Sequence, residues 1–305
     1  MKRDILSVMD MKDDLEDIIL LSIKLKRDRS IKFSEKKILG MIFEKPSTRT
    51  RISLESAMVQ LNGTAIYLSP KEMHLGDGET IEDTARVMSR FLDIISYRAY
   101  SHDMVVELAR YSRVPVLNAL DNLEHPMQIV ADFMTVYEKK SKLSGLKLAY
   151  IGDGNNMANS LLLGASILGM DISIACPENH EPDKEIIRSA REMALKTGSR
   201  IEIVREPRTA IDSADIVYTD VWVSMGEESE RAEREKLFRP YQVNSELTDF
   251  ADKNFIFMHC LPAHRGLEVT DDVIDGIHSV VFDEAENRLY SEKGIIYKVL
   301  FINYF

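Results

Sequence analysis

The 305-residue chain carries only two cysteines, Cys176 and Cys260. That is too few for a disulfide framework or for a structural zinc site built on several thiolates, and it fits a reducing compartment. No stretch approaches the ~20 apolar residues that cross a bilayer. The opening MKRDILSVMD has no apolar segment ahead of its next charges, so a secretory signal is not expected and a cytoplasmic location is. Basic charge is scarce too. Lys and Arg total 39 against 50 Asp and Glu, a formal charge of −11. Neither a nucleic acid nor a membrane is an expected partner of such a surface. Internal repeats and low-complexity tracts are absent as well. What remains is an ordinary globular composition, 45% hydrophobic and 29% charged, at a length that suits two domains. An acidic chain can still hold a small anion, provided a local cluster of donors does the holding.

The alternation of apolar runs with helical spacing predicts where such clusters lie. A first helix is expected over 10–29, capped by Asp10. Strands are expected at 38–43, 65–68, 94–97 and 114–117, with helices over 48–62, 80–92, 102–112 and 126–140. The charged, then Ser- and Gly-containing EKKSKLSG (138–145) reads as a boundary dividing 1–141 from 145–287. Beyond it, strands are expected at 147–151, 171–175, 201–204, 216–218, 255–259 and 280–282. Helices are expected near 155–168, 183–198, 229–238 and 270–276. The last segment, within 288–305, reads as a helix packing back on one of the two domains. The fold class is therefore α/β, two open domains with mostly parallel sheets. Ligands in such sheets sit beyond the carboxyl ends of strands, which singles out the loops entering helices.

Six of those loops carry chemistry. After the 38–43 strand comes Glu44-Lys45-Pro46-Ser47-Thr48-Arg49-Thr50-Arg51. Ser47 suits an N-cap, which puts Thr48, Arg49 and Thr50 in a first helical turn whose free N–H groups favour an anion. Plain capping with solvated arginines is the competing reading, and four consecutive phosphate-competent side chains weigh against it. This is no P-loop, since GxxxxGK[ST] is absent. In His125-Pro126-Met127-Gln128, Pro126 suits the first helical position, leaving His125 and Gln128 at a helix entrance as cap or as ligand donors. Gly152-Asp153-Gly154-Asn155-Asn156 is half of a dinucleotide fingerprint, and Met157 stands where the third glycine is required. The segment is either a simple turn or a turn that presents its two asparagines. Asp220 ends a strand ahead of Trp222, Ser224, Met225 and Gly226 and could meet a ligand ammonium, while Trp222 suits the core. In His259-Cys260-Leu261-Pro262, adjacent strand residues point to opposite faces, which argues against a shared metal. Arg288, in EAENR, is either a solvated helix-start arginine or a cleft donor.

In order along the chain, FEKPSTRTR, YRAY with Arg98, HPMQ, GDGNN, DVWVSMG, HCLPAHRG and EAENR resemble the aspartate/ornithine carbamoyltransferase family over nearly the whole length. STRT and HPxQ imply carbamoyl phosphate, and SMG and HCLP imply an ornithine-type acceptor. The resemblance implies that Ser47, Thr48, Arg49 and Thr50 bind the phosphate. Arg98 and His125, with Thr50, would hold the carbamoyl oxygen, and Gln128, Leu261 and Arg288 the carbamoyl end. Asn156, Asp220, Ser224 and Met225 would bind ornithine, with Cys260 beside the reacting centre. The family's architecture implies a carbamoyl-phosphate half, an amino-acid half and a final helix crossing back to the first. It also implies a homotrimer with sites at subunit interfaces. The loop 74–79 departs from the commoner pattern at Asp77. No metal or cofactor is called for, because the donor already carries a good leaving group. Competing readings are an NAD-dependent dehydrogenase, a non-catalytic carbamoyltransferase-like subunit, and a transferase for another amine such as putrescine.

Overall fold

The computed structural model describes residues 2–69, 73, 78–223 and 228–301. The chain divides into two compact units, one of residues 1–134 with 286–305, the other of residues 135–285.

In unit 1, strands β1 (Ile38–Phe43), β2 (Thr64–Leu68), β3 (Ile94–Arg98) and β4 (Val116–Leu120) form one sheet in the order β2-β1-β3-β4. All pairs are parallel. Helices α1 (Leu15–Arg27), α2 (Thr48–Gln60), α3 (Ile81–Met88) and α4 (His102–Tyr111) connect and cover the strands. Helix α5 (Pro126–Lys140) follows β4. The central strands are near-continuous apolar runs, as strands buried on both faces must be, and edge strand β2 is half-exposed. The chain leaves β1 toward β2 on one side and returns through β3 and β4 on the other. The β1–β3 boundary is therefore the switch point of this sheet, where a crevice opens at the strands' carboxyl ends.

Unit 2 repeats the logic with β5 (Lys147–Ile151), β6 (Asp171–Ala175), β7 (Ile201–Val204), β8 (Ile216–Thr219) and β9 (Ile256–Met258). Their order is β7-β6-β5-β8-β9, again all parallel. Its helices are α6 (Asn156–Ile167), α7 (Lys184–Thr197), α8 (Pro207–Ile211), α9 (Arg231–Phe238), α10 (Ser245–Thr248) and α11 (Asp271–Ile274). The switch point lies between β5 and β8. Gly154 marks a close approach: a Cβ there would sit 2.3 Å from the backbone of Glu181 and Pro182. The long α12 (Val281–Phe301) ends the described chain, and its residues from 286 onward belong to unit 1. There Gly294 lets α12 lie against α1, since a Cβ would meet Ser22 Oγ at 2.1 Å.

The α/β fold with parallel sheets in two domains is as expected, and several local expectations are corrected. Asp10 does not cap α1. It closes a capping box with Ser7 over a separate 3-10 turn, Val8–Met11, and α1 begins only at Leu15. Strand β4 starts at Val116 rather than 114 because Pro115 has no N–H for the ladder. The expected strand at 280–282 is helical. Ser279 makes one bridge to Phe257, and the Glu284 N–H then bonds the Val280 carbonyl at 2.9 Å to start α12. An apolar run of three cannot by itself tell strand from buried helix. Arg288 consequently lies two turns inside a helix rather than at its start.

Candidate active site

At the unit 1 switch point, Phe43 pairs with Arg98 across β1 and β3, so the two strands end side by side. The exit from β1 is braced by Glu44, which accepts from the Tyr97 hydroxyl and from the Tyr100 N–H, both at 2.7 Å. Ser47 is the N-cap of α2 in extended conformation, but its side chain makes no capping bond. The cap role is thus only positional. Thr48 is exposed, Ser47 and Arg49 are partly buried, and Thr50 is fully buried. Arg51 is exposed and turned to other duties, stacking 4.0 Å over Tyr67 and pairing with Glu55 at 2.9 Å.

Around this turn the fold gathers cations in a dry place. Arg98, His125, Gln128 and Arg288 are all buried. Arg288 Nη2 donates to Thr50 Oγ1 at 2.6 Å, which overturns the reading of a solvated arginine. Burial holds His125 well below the usual histidine range, and the charges of Arg288, Arg98 and Arg49 push it further down. Its imidazole is therefore neutral at physiological pH, able to donate a hydrogen bond without carrying a charge. Gln128 does not close a capping box either. Its amide donates to Asp132 Oδ1 at 2.7 Å, which orients it from one turn along α5.

The group that holds the loop before His125 lies outside the sequence motifs. Asp121 is fully buried. Its Oδ1 accepts from the N–H groups of Leu123 and Glu124 at 2.7 and 2.8 Å. Its Oδ2 takes Asn118 Nδ2 at 2.7 Å and lies 2.6 Å from His102 Nδ1. One carboxylate thus organises the turn 121–124 that delivers His125. The sequence signal was an Asx-type turn, Asp followed by N–H groups two and three residues on.

At the unit 2 switch point, Asn155 caps α6, accepting from Met157 and Ala158 N–H at 2.9 and 3.2 Å. Its amide donates to Asp220 Oδ2 at 2.9 Å. Cys260 Sγ donates to the other oxygen, Asp220 Oδ1, at 3.2 Å. The Gly152–Asn156 turn is therefore a device for aiming a buried carboxylate, and Asn155, not only Asn156, belongs to it. Asn156 is the partly exposed first residue of α6. Trp222 is in the core, as its size suggests. Asp153 pairs with buried Arg234, whose Nε bonds the Trp222 carbonyl at 2.7 Å. Ser224 and Met225, and residues 74–77 of the loop around Asp77, lie outside the described residues.

His259 and Cys260 lie beyond the end of β9 at Met258, so strand alternation does not place them on opposite faces. Ligand atoms of Asp220, His259 and Cys260 all lie within 4.8 Å of one another. Protein partners engage these groups. His259 Nδ1 accepts the Leu261 N–H at 2.9 Å, and Nε2 lies 3.4 Å from buried Glu268. The His259 N–H bonds Glu284 Oε2 at 3.0 Å, and Tyr218 holds the other oxygen at 3.1 Å. His259 thereby shapes the turn at Leu261, which has a φ of 58°.

Two family models match the chain. Residues 3–138 match the model of the carbamoyl-P binding domain of aspartate/ornithine carbamoyltransferases, and residues 144–299 match that of the Asp/Orn binding domain. An ornithine carbamoyltransferase of Picrophilus torridus is 77% identical over 98% of this chain and 100% of its own length. A protein of Thermoplasma volcanium named as a catabolic ornithine carbamoyltransferase is 64% identical over 98% of this chain and 99% of its own. Among solved structures, the ornithine carbamoyltransferase of Pyrococcus furiosus superposes with a TM-score of 0.92 at 47% identity, covering 97% of this chain and 96% of that one.

Proposed function

We propose a mechanism from one premise: the chain belongs to the aspartate/ornithine carbamoyltransferase family and transfers the carbamoyl group of carbamoyl phosphate to ornithine, giving citrulline and phosphate. The phosphate of the donor binds at the first turn of α2, through Ser47, Thr48, Arg49 and Thr50. Arg98 and neutral His125, with Thr50, donate to the carbamoyl oxygen, and Gln128, Arg288 and the Leu261 backbone fix the carbamoyl end. The observation that carries this reading is the packing of three arginines around a neutral buried histidine at a helix entrance. Such a site is built for an anion and for charge developing on an adjacent oxygen.

Ornithine is held by its α-amino-acid end, with Asp220 receiving the ammonium and Asn156, Ser224 and Met225 completing the subsite. Its δ-amine attacks the carbonyl carbon directly. A lysine-like amine, with a pKa near ~10.4, is only about one part in a thousand neutral at pH 7, and only that form is nucleophilic. The C–N bond forms and a tetrahedral intermediate places negative charge on the carbonyl oxygen. The C–O bond to phosphate then breaks, and the departing phosphate accepts the amine's proton. Cys260, hydrogen-bonded to Asp220, orients the acceptor rather than forming an acyl-enzyme. Sequential kinetics in both substrates would support this, and a trapped carbamoyl thioester would contradict it.

The assembly we assign is a homotrimer, three times the 34.8 kDa chain mass, working in the cytoplasm. Among the described residues no helix is long and apolar enough to cross a membrane. The direct test of the donor site is inhibition by inorganic phosphate, competitive against carbamoyl phosphate. Arg288→Gln should raise the KM for carbamoyl phosphate with little effect on that for ornithine. Noncompetitive phosphate inhibition, or the reverse KM pattern, overturns the assignment.

A further inference from the structure

One turn beyond Arg288 on α12 stands a group that the mechanism leaves unused. Glu292 is buried at 1% exposure, on the side of α12 that carries Arg288. Its Oε1 lies 3.5 Å from Arg288 Nη2, the same nitrogen that donates to Thr50 Oγ1 at 2.6 Å. That is too long for a charge-assisted hydrogen bond, and neither carboxyl oxygen has a hydrogen-bond partner among the described residues. The other polar neighbour, Ser53 on the facing turn of α2, spends its hydroxyl on the carbonyls of Arg49 and Thr50, at 2.8 and 3.2 Å. A buried carboxylate in such a position is costly unless it is protonated or tightly paired.

We propose that Glu292 is a positioning residue for Arg288 that couples donor binding to a proton. Neutral, it leaves the Arg288 guanidinium to Thr50 and the donor; ionised, it competes for that guanidinium and faces the donor phosphate with a like charge. The proposal rests on the assignment of this pocket to the donor. The surrounding charges fit it. Arg288 faces Glu292 from its own helix, and Arg288, Arg98 of β3 and Arg49 of α2 all act on the neutral His125 just ahead of α5. The adjacent Lys293 sends its ammonium to the Leu25 carbonyl and Gln60, each at 3.4 Å. Burial pushes the Glu292 carboxyl up to about 8, against the opposing pull of Arg288 and Ser53. A bound dianion raises it further, so binding takes up a proton. Affinity then falls as pH climbs past about 8, by at most tenfold per pH unit for one proton.

Sulfate is a suitable probe because its charge is constant over the range needed. Its inhibition constant against carbamoyl phosphate would be measured from pH 6.5 to 9.5 for the wild type and Glu292→Gln. The wild type should lose affinity at least threefold more steeply above pH 8 than the variant. Titration calorimetry of the wild type in two buffers of different ionisation enthalpy, near pH 8, should show net proton uptake on sulfate binding. This second readout does not depend on the variant folding. Parallel pH courses in the two proteins, or sulfate binding without proton uptake, overturn the role of Glu292. Sulfate that binds equally to Arg49→Ala would instead overturn the donor-site assignment, so the two failures are distinguishable.

Discussion

Arg98 and His125 differ in how they can stabilise a developing oxyanion. The arginine brings full charge in a water-poor setting, whereas the imidazole, held neutral by burial and three guanidiniums, brings only a directed N–H. Removing one oxyanion donor commonly costs about 2.7–4 kcal/mol of barrier. Arg98→Ala should therefore lower kcat by roughly 10²–10³, read by citrulline formation at saturating substrates. Because His125 is already neutral, its titration should leave no limb near pH 6.5. The apparent kcat/KM for ornithine should instead climb about tenfold per pH unit between pH 6 and 8, as the neutral amine becomes available. A plateau across that range would show that the amine does not limit the rate. Asp220→Asn should raise the KM for ornithine while sparing that for carbamoyl phosphate. The candidates His125 and Asp220 could be singled out in the sequence because each sits beside a strand end or a helix entrance, whereas Arg98 came only from the family resemblance. Behind them, Asp121 leaves an Asx-turn signal, but Glu268 and Glu284 leave none, since an isolated buried carboxylate has no periodic signature and acquires meaning only from the groups that folding brings to it.

Element ends decide how well the functional groups are held. Asn155 both caps α6 and aims Asp220. Asn155→Ala should cost about 1 kcal/mol of stability through the lost cap, measured by denaturant unfolding, together with weaker ornithine binding. The turn leading into α5 should carry its own pH dependence. Glu124 accepts the Val8 N–H at 2.9 Å, and burial pushes its carboxyl from 4.5 up to about 7. A carboxyl whose folded pKa exceeds its unfolded value holds more protons folded than unfolded. Its contribution to stability therefore declines as pH rises, over roughly pH 4.5 to 7. Glu124→Gln should remove that decline, seen as a flatter course of Tm between pH 5 and 7; an unaltered course would show that Glu124 does not titrate there. Most element positions followed from apolar periodicity. The misread ones were those with competing local chemistry: the Ser7–Asp10 capping box that delays α1, the proline that delays β4, and the short valine run that opens α12.

The whole molecule uses one topological device twice. Each unit is an open parallel sheet whose strand order reverses once, and each reversal carries chemistry: cations and a helix entrance at β1–β3, a hydrogen-bonded carboxylate and thiol at β5–β8. The repeated α/β pattern of the two units could be read from the sequence, because strand–loop–helix transitions are local. Assembly could not, and equilibrium sedimentation at three chain masses is the expected outcome. The central claim is that the amino end of α2 receives the donor's phosphate. It is tested most directly by kcat/KM for carbamoyl phosphate in Arg49→Ala. The account predicts a fall of roughly 10²–10³ with a raised KM for the donor. Turnover and donor affinity equal to the parent protein would contradict it.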